Sequence, residues 1–200
     1  MNGTYSFELD WHTPESWAFD VTADPLALLS DHAHCELQAA VACQALISRY
    51  PDRPHLVDSA AQVITEEMTH FQRVVKLLRS LGGELADGLS NPYAEKLRKG
   101  LGGTCRSGLL DRQLLAAMLE RRSCERFEML AERARQPELR ALYAALAPEE
   151  IEHQKLFLEL AKAECGEEMA TSRLAVLIKL EATAIPMIDF SCRMHSGPKA

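Results

Sequence analysis

The sequence predicts an all-α protein: a four-helix bundle with one long crossover, preceded by an irregular N-terminal arm and followed by a fifth helix. Three observations carry this. Apolar residues recur at three- and four-residue steps through five segments, Pro and Gly punctuate the segment ends, and no period-2 run of β-branched residues occurs. The 200 residues are 47% hydrophobic and 26% charged, an ordinary globular composition that excludes whole-chain disorder.

Residues 1–23 form the arm, with Trp11, Pro14 and Trp17 but no sustained period, so its aromatics are expected to pack on something larger. Residues 24–200 form the bundle domain. Its first helix runs from Pro25 to Tyr50 on the stripe Leu29, Ala33, Glu36, Ala40, Cys43, Ile47, and stops at Pro51-Asp52-Arg53-Pro54. The second runs from His55 to Leu81 on Val63, Glu67, His70, Val74, Leu77, and Gly82-Gly83 end it as C-terminal glycines do. The long connection, 82–108, is expected to contain a short helix over Tyr93–Lys99. The third helix runs from Leu109 to Arg135 on Gln113, Ala117, Glu120, Cys124, Phe127, and breaks at Gln136-Pro137. The fourth runs from Glu138 to Glu164 on Tyr143, Leu146, Glu150, His153, Phe157, Leu160, and a fifth covers Met169–Ile185. Two short turns and one long connection give two antiparallel hairpins joined by a crossover.

Composition excludes several classes. Lys plus Arg total 22 against 29 Asp plus Glu, a net charge of −7, so the whole chain is no simple cationic nucleic-acid binder. Six cysteines include no CxxC pair, which argues against zinc knuckles, rubredoxin-type iron sites and thioredoxin chemistry. No run reaches the roughly 18 apolar residues of a membrane span, and the start lacks a basic and apolar leader pattern, so a cytoplasmic protein without membrane association is expected.

The anomaly lies in the stripes. Each of the four long helices places a glutamate on its apolar face, and two add a histidine three residues later: Glu67-Met68-Thr69-His70 and Glu150-Ile151-Glu152-His153. Residues i and i+3 of a helix project to the same side. Glu36 lies 15 residues before Pro51 and His70 lies 16 after Pro54; Glu120 lies 16 before Gln136 and His153 lies 16 after Pro137. Antiparallel helices with matched distances from a shared turn bring these residues to one level. Buried unpaired carboxylates are very costly, whereas four carboxylates, two neutral imidazoles and two divalent cations make a neutral set. Carboxylate and imidazole donors suit iron or manganese better than a structural zinc site, which prefers thiolates. One Glu from each of two helices plus Glu-x-x-His from each of the other two is the dinuclear pattern of ferritin-like bundles. On the residues alone three classes stay open: an oxygenase, a ferritin- or rubrerythrin-like oxidase or peroxidase, and a metal-free helical interaction module.

Four strings carry a resemblance: Asp31-His32-Ala33-His34-Cys35-Glu36-Leu37, Glu66-Glu67-Met68-Thr69-His70-Phe71, Leu119-Glu120-Arg121-Arg122-Ser123-Cys124-Glu125-Arg126-Phe127, and Arg193-Met194-His195-Ser196-Gly197. Across residues 24–197 the chain resembles the MiaE family of tRNA hydroxylases. The resemblance implies an O2-dependent non-haem di-iron monooxygenase that hydroxylates the isopentenyl side chain of 2-methylthio-N6-isopentenyladenosine next to the tRNA anticodon. It implies Glu36, Glu67, His70, Glu120, Glu150 and His153 as ligands of two iron ions, with Glu67 and Glu150 bridging, and no catalytic residue beyond these ligands. It also implies an external ferredoxin or flavin reductase as electron donor and a monomer or small oligomer. The first turn, Pro51 to Pro54, is shorter than in family members that carry an insertion there.

The charge is uneven. Residues 96–140 hold eleven of the 22 basic residues and six acidic ones, so this window is +5 and the remainder −12. With a tRNA partner implied, the crossover and the outer face of the third helix are the candidate phosphate contacts: Lys96, Arg98, Lys99, Arg106, Arg121, Arg122 and Arg126.

Overall fold

The computed structural model describes residues 5–87, 90–102 and 108–199. Among these there are seven helices and no strand: α1 Trp17–Val21, α2 Pro25–Arg49, α3 Pro54–Ser80, α4 Pro92–Gly100, α5 Gly108–Arg133, α6 Pro137–Cys165 and α7 Glu167–Ala184, followed by a 3-10 turn at Ile185–Met187. The five long helices and the short crossover helix lie where periodicity and punctuation put them. Proline at the first helical position starts α2, α3, α4 and α6, where its missing N–H costs nothing. Asp24 and Asn91 cap α2 and α4 by accepting from Ala27 N–H (3.0 Å) and Ala94 N–H (3.1 Å). Gly82, at φ 83°, ends α3, and the Gly83 N–H returns to the Leu78 carbonyl at 3.0 Å.

The chain divides into two compact units. One comprises residues 21–90 with 192–194, and is built on the α2–α3 hairpin. Leu28, Leu29, Cys43, Leu46, Leu56, Val63, Val74 and Leu78 are buried there. The start of the crossover is tied to α2: Ser30 Oγ accepts from Ala86 N–H at 3.0 Å, and the His34 ring lies 2.8 Å from the Ala86 carbonyl. Arg193 Nε and the Met194 N–H both donate to Asp31, at 2.7 and 2.8 Å, so a piece of the C-terminal tail belongs to this unit.

The other unit comprises residues 1–20, 91–191 and 195–200, of which the described ones form the α5–α6 hairpin with α4, α7, the arm and the tail end. Its core includes Trp17, Tyr93, Leu97, Leu114, Met118, Phe127, Tyr143, Phe157 and Leu177. The arm is not irregular throughout, since Trp17–Val21 makes a short helix that buries Trp17 and Ala18. Five residues are too few for the 3.6-residue period to register in a sequence. The tail end packs closely: a Cβ on Gly197 would lie 1.7 Å from the Ile188 carbonyl oxygen. Pro148 sits inside α6 and cannot donate to the Ala144 carbonyl, two residues ahead of Glu150.

Candidate metal centre

All six sequence-derived ligands are buried, and they form two groups of the same composition. In the α2–α3 unit, Glu36, Glu67 and His70 offer donor atoms within 4.8 Å of one another. His70 Nδ1 lies 3.8 Å from both Glu36 Oε2 and Glu67 Oε2. The buried His32, one turn before Glu36 on α2, places its Nε2 against Glu36 Oε1. In the α5–α6 unit, Glu120, Glu150 and His153 likewise lie within 4.8 Å, with His153 Nδ1 3.3 Å from Glu150 Oε2.

Two carboxylates held this close in a dry environment repel unless a cation sits among them. Each group therefore fits a divalent metal, and the donor set of oxygen and imidazole fits a transition metal rather than a closed thiolate site. Cys124 is beside the second group, but its sulfur is in neither set of clustered donor atoms; burial pushes its thiol well up, and the Glu150 and Glu120 charges push it further. The neighbouring acids point elsewhere. Glu66 accepts from Gln62 at 2.9 Å, Glu149 is exposed, and Glu152 pairs with Lys155 at 2.8 Å on the surface.

The basic residues require a correction. Arg121, Arg122 and Arg126 are 2%, 0% and 0% exposed and cannot meet a phosphate. Each is spent on the arm or on α7. Arg121 donates to the Phe7 carbonyl at 3.1 Å and lies over the Tyr5 ring. Arg122 donates to Glu181 from Nε (2.9 Å) and Nη2 (2.7 Å), to the Trp11 carbonyl, and to Glu125. Arg126 donates to the Ser196 carbonyl at 2.8 Å and lies over Trp17; burial and the adjacent Arg122 pull its guanidinium down to about 9. Arg98 and Lys99 are exposed, Lys96 is half-buried, and Arg106 lies outside the described residues.

Sequence reasoning passed over the partner of these arginines. Glu181 is wholly buried on α7, accepting from Arg122 and, at 3.0 Å, from the Tyr93 hydroxyl. Burial and then the Glu181 charge push the Tyr93 phenol well above its usual range. Its signal was present: Glu181 continues the apolar spacing Leu174, Leu177, Ala184. Tyr93 also stacks on His195, with ring centroids 5.0 Å apart, and His195 Nε2 lies 3.5 Å from Ser123 Oγ.

Comparison with known proteins accords with this geometry. A solved structure described as protein 43 with aldehyde deformylating oxygenase activity, from Synechococcus, superposes with a TM-score of 0.89 at 33% identity, over 95% of this chain and 96% of that one. The fold class is therefore ferritin-like, as the helix pattern predicts. A Pseudomonas putida protein named tRNA 2-(methylsulfanyl)-N(6)-isopentenyladenosine(37) hydroxylase is 32% identical over 186 residues, 92% of this chain and 90% of its own. A Salmonella typhimurium protein of the same name is 26% identical over 238 residues, 94% and 87% of the two chains. Residues 5–196 match the family described as tRNA-(MS[2]IO[6]A)-hydroxylase, and the chain belongs to this MiaE family of tRNA hydroxylases.

Proposed function

We propose that this protein hydroxylates the isopentenyl side chain of 2-methylthio-N6-isopentenyladenosine at the position next to the tRNA anticodon, using O2 and two iron ions held by Glu36, Glu67, His70, Glu120, Glu150 and His153. The observation that carries the reading is the pair of matched Glu, Glu, His groups, each buried, in a chain of this family. Four carboxylates and two imidazoles balance two divalent cations, and no CxxC module accompanies them as it would in a rubrerythrin. Bound iron supplies O2 activation for insertion into an aliphatic C–H bond.

The chain's own residues provide the setting. Burial of both groups keeps bulk water away, and His32, set against Glu36 Oε1, orients that carboxylate. One oxygen atom enters the substrate and the other leaves as water, so two electrons and two protons are needed. The chain carries no flavin, nicotinamide or iron–sulfur motif, and a separate ferredoxin or flavin reductase supplies the electrons. A tRNA substrate places the reaction in the cytoplasm, and a monomer or small oligomer suffices. Among the sequence-derived basic candidates, the exposed Arg98 and Lys99 and the half-buried Lys96 on α4 support phosphate contact. No helix among the described residues is long and apolar enough to cross a membrane.

Nucleoside mass spectrometry of tRNA from cells with and without the gene tests the substrate: the hydroxylated isopentenyl nucleoside disappears with the gene, and its persistence refutes the reading. For the metal, anaerobic Fe(II) loading followed by iron analysis gives two ions per chain. Glu67→Ala and Glu150→Ala lose them, and Glu152→Ala keeps them.

A further inference from the structure

Two buried amides lie outside both ligand groups and outside the arginine network: Gln154, which donates to Ser6 Oγ at 3.1 Å, and Gln113. Gln113, on α5, is 1% exposed, and its Oε1 has no hydrogen-bond partner among the described residues. A buried amide oxygen left unbonded is costly, and native proteins keep one only where something else meets it. Its place on the helix says what that is. Gln113 precedes Glu120 by seven residues, which is two turns, so the two side chains leave α5 within about 20° of one meridian and about 10 Å apart along it. The antiparallel α6 carries Glu150 and His153 at the level of Glu120. Seven residues further along α6, at the level of Gln113, stand the buried Phe157 and Leu160. Gln113 is thus a polar group at an apolar level, two turns from the candidate metal ligands.

We infer that the Gln113 amide reads the Hoogsteen edge of the modified adenine, holding the base while its prenyl group reaches the metal ligands; this rests on the function proposed above. A side-chain amide offers one acceptor and one donor side by side, the complement of adenine N6–H and N7. Prenylation leaves one hydrogen on N6, and a chain turned toward N1 leaves that hydrogen beside N7. Oε1 then accepts from N6–H while Nε2 donates to N7. The lengths agree. From N6 to a terminal methyl is four bonds, roughly 5 Å, and with a hydrogen bond of about 3 Å at one end and a reactive approach of about 3 Å at the other, the span matches two helical turns. Bases acted on by enzymes are taken out of their stack, so the edge is free to be read.

The test is a chemical double-mutant cycle on the iron-loaded enzyme. Its substrates are the natural modified anticodon stem-loop and the same stem-loop with N7 replaced by carbon. Its proteins are the parent and Gln113→Leu, with Gln113→Met as a second variant. The parent loses about tenfold or more in kcat/KM on the carbon-substituted substrate, while Gln113→Leu starts from a comparable loss and is indifferent to the substitution. Because Gln113 Oε1 accepts no hydrogen bond among the described residues, the variant keeps its iron content and melts no lower than the parent. Equal penalties in parent and variant, or full activity of Gln113→Leu on the natural substrate, overturn the inference. A variant that loses iron or melts lower shows a structural amide, also overturning it. Failure of the parent to hydroxylate the natural substrate at all refutes the proposed function instead.

Discussion

The Arg122–Glu181 pair allows a stringent test of how α7 is held to α5. Both side chains are wholly buried, and one carboxylate oxygen takes two guanidinium bonds of 2.9 and 2.7 Å and the Tyr93 hydroxyl at 3.0 Å. Arg122→Met leaves the Glu181 charge with only a phenol, and an orphaned buried charge costs about 3–5 kcal/mol. For a chain of this size that is a fall in Tm of roughly 6–20 °C. Glu181→Leu costs less, about 1–3 kcal/mol, because Arg122 keeps Glu125 and the Trp11 carbonyl. In the double variant the Glu181 charge is gone and Glu125 keeps its Thr13 donors, so its loss falls well short of the two single losses combined, with a coupling of about 2 kcal/mol. Urea denaturation of the metal-free protein followed by circular dichroism measures all four corners. Losses that add to within about 0.5 kcal/mol, or an Arg122→Met loss below about 1 kcal/mol, refute the argument that the pair acts as a unit.

Gly197→Ala drives a Cβ into the Ile188 carbonyl and is expected to cost about 1–3 kcal/mol and to raise hydrogen exchange through residues 193–197. Glu125 is raised by burial but lowered more by Arg122, the Thr13 donors and Arg126 together, so it ends below the usual carboxylate range. Its stabilisation of the arm is present above that range and lost as pH falls through its depressed value. Trp11 and Trp17 fluorescence is expected to report the release on acidification, with Glu125→Gln already released at neutral pH. The pair Arg98→Glu, Lys99→Glu is expected to weaken tRNA binding about tenfold and to reduce the slope of log affinity against log salt by about 2, read by fluorescence anisotropy; an unchanged slope removes these two residues from the interface.

The helices and the two buried Glu, Glu, His groups were legible because both obey a period. Proline and glycine marked the ends of α2, α3 and α6, and a glutamate on an apolar stripe contradicts burial strongly enough to be read without coordinates. The arm and the basic window were not legible. Arg121, Arg122 and Arg126 share α5 with five acids, Asp111, Glu120, Glu125, Glu128 and Glu132, and a helix dense in charge reads as solvated unless something is known to cover it. What covers it is a segment more than a hundred residues earlier: Thr13 donates to Glu125 through its hydroxyl at 2.6 Å, and Tyr5 donates to Glu128. Short-range spacing carries no information about such a pairing. Glu181 obeyed the helical period and was nevertheless passed over, because it repeats on no second helix and has no histidine beside it.

The covered arginines change what the charge distribution means for substrate recognition. Of the eleven basic residues in the +5 window, Arg121, Arg122 and Arg126 are buried, Arg133 pairs with Glu15 at 2.7 Å, and Arg135 donates to the Phe19 carbonyl and lies over its ring. Arg140 donates to the Ala134 carbonyl at 2.7 Å, at the turn that joins α5 to α6. Most of the window therefore holds the fold together, and few cations remain there for phosphates. Phosphate contacts set affinity and its salt dependence, whereas base contacts set specificity. Where few cations meet phosphates, recognition of the substrate rests more on the modified base itself. That demand falls on buried groups near the candidate metal ligands, and Gln113, whose Oε1 has no hydrogen-bond partner among the described residues, stands two helical turns from them.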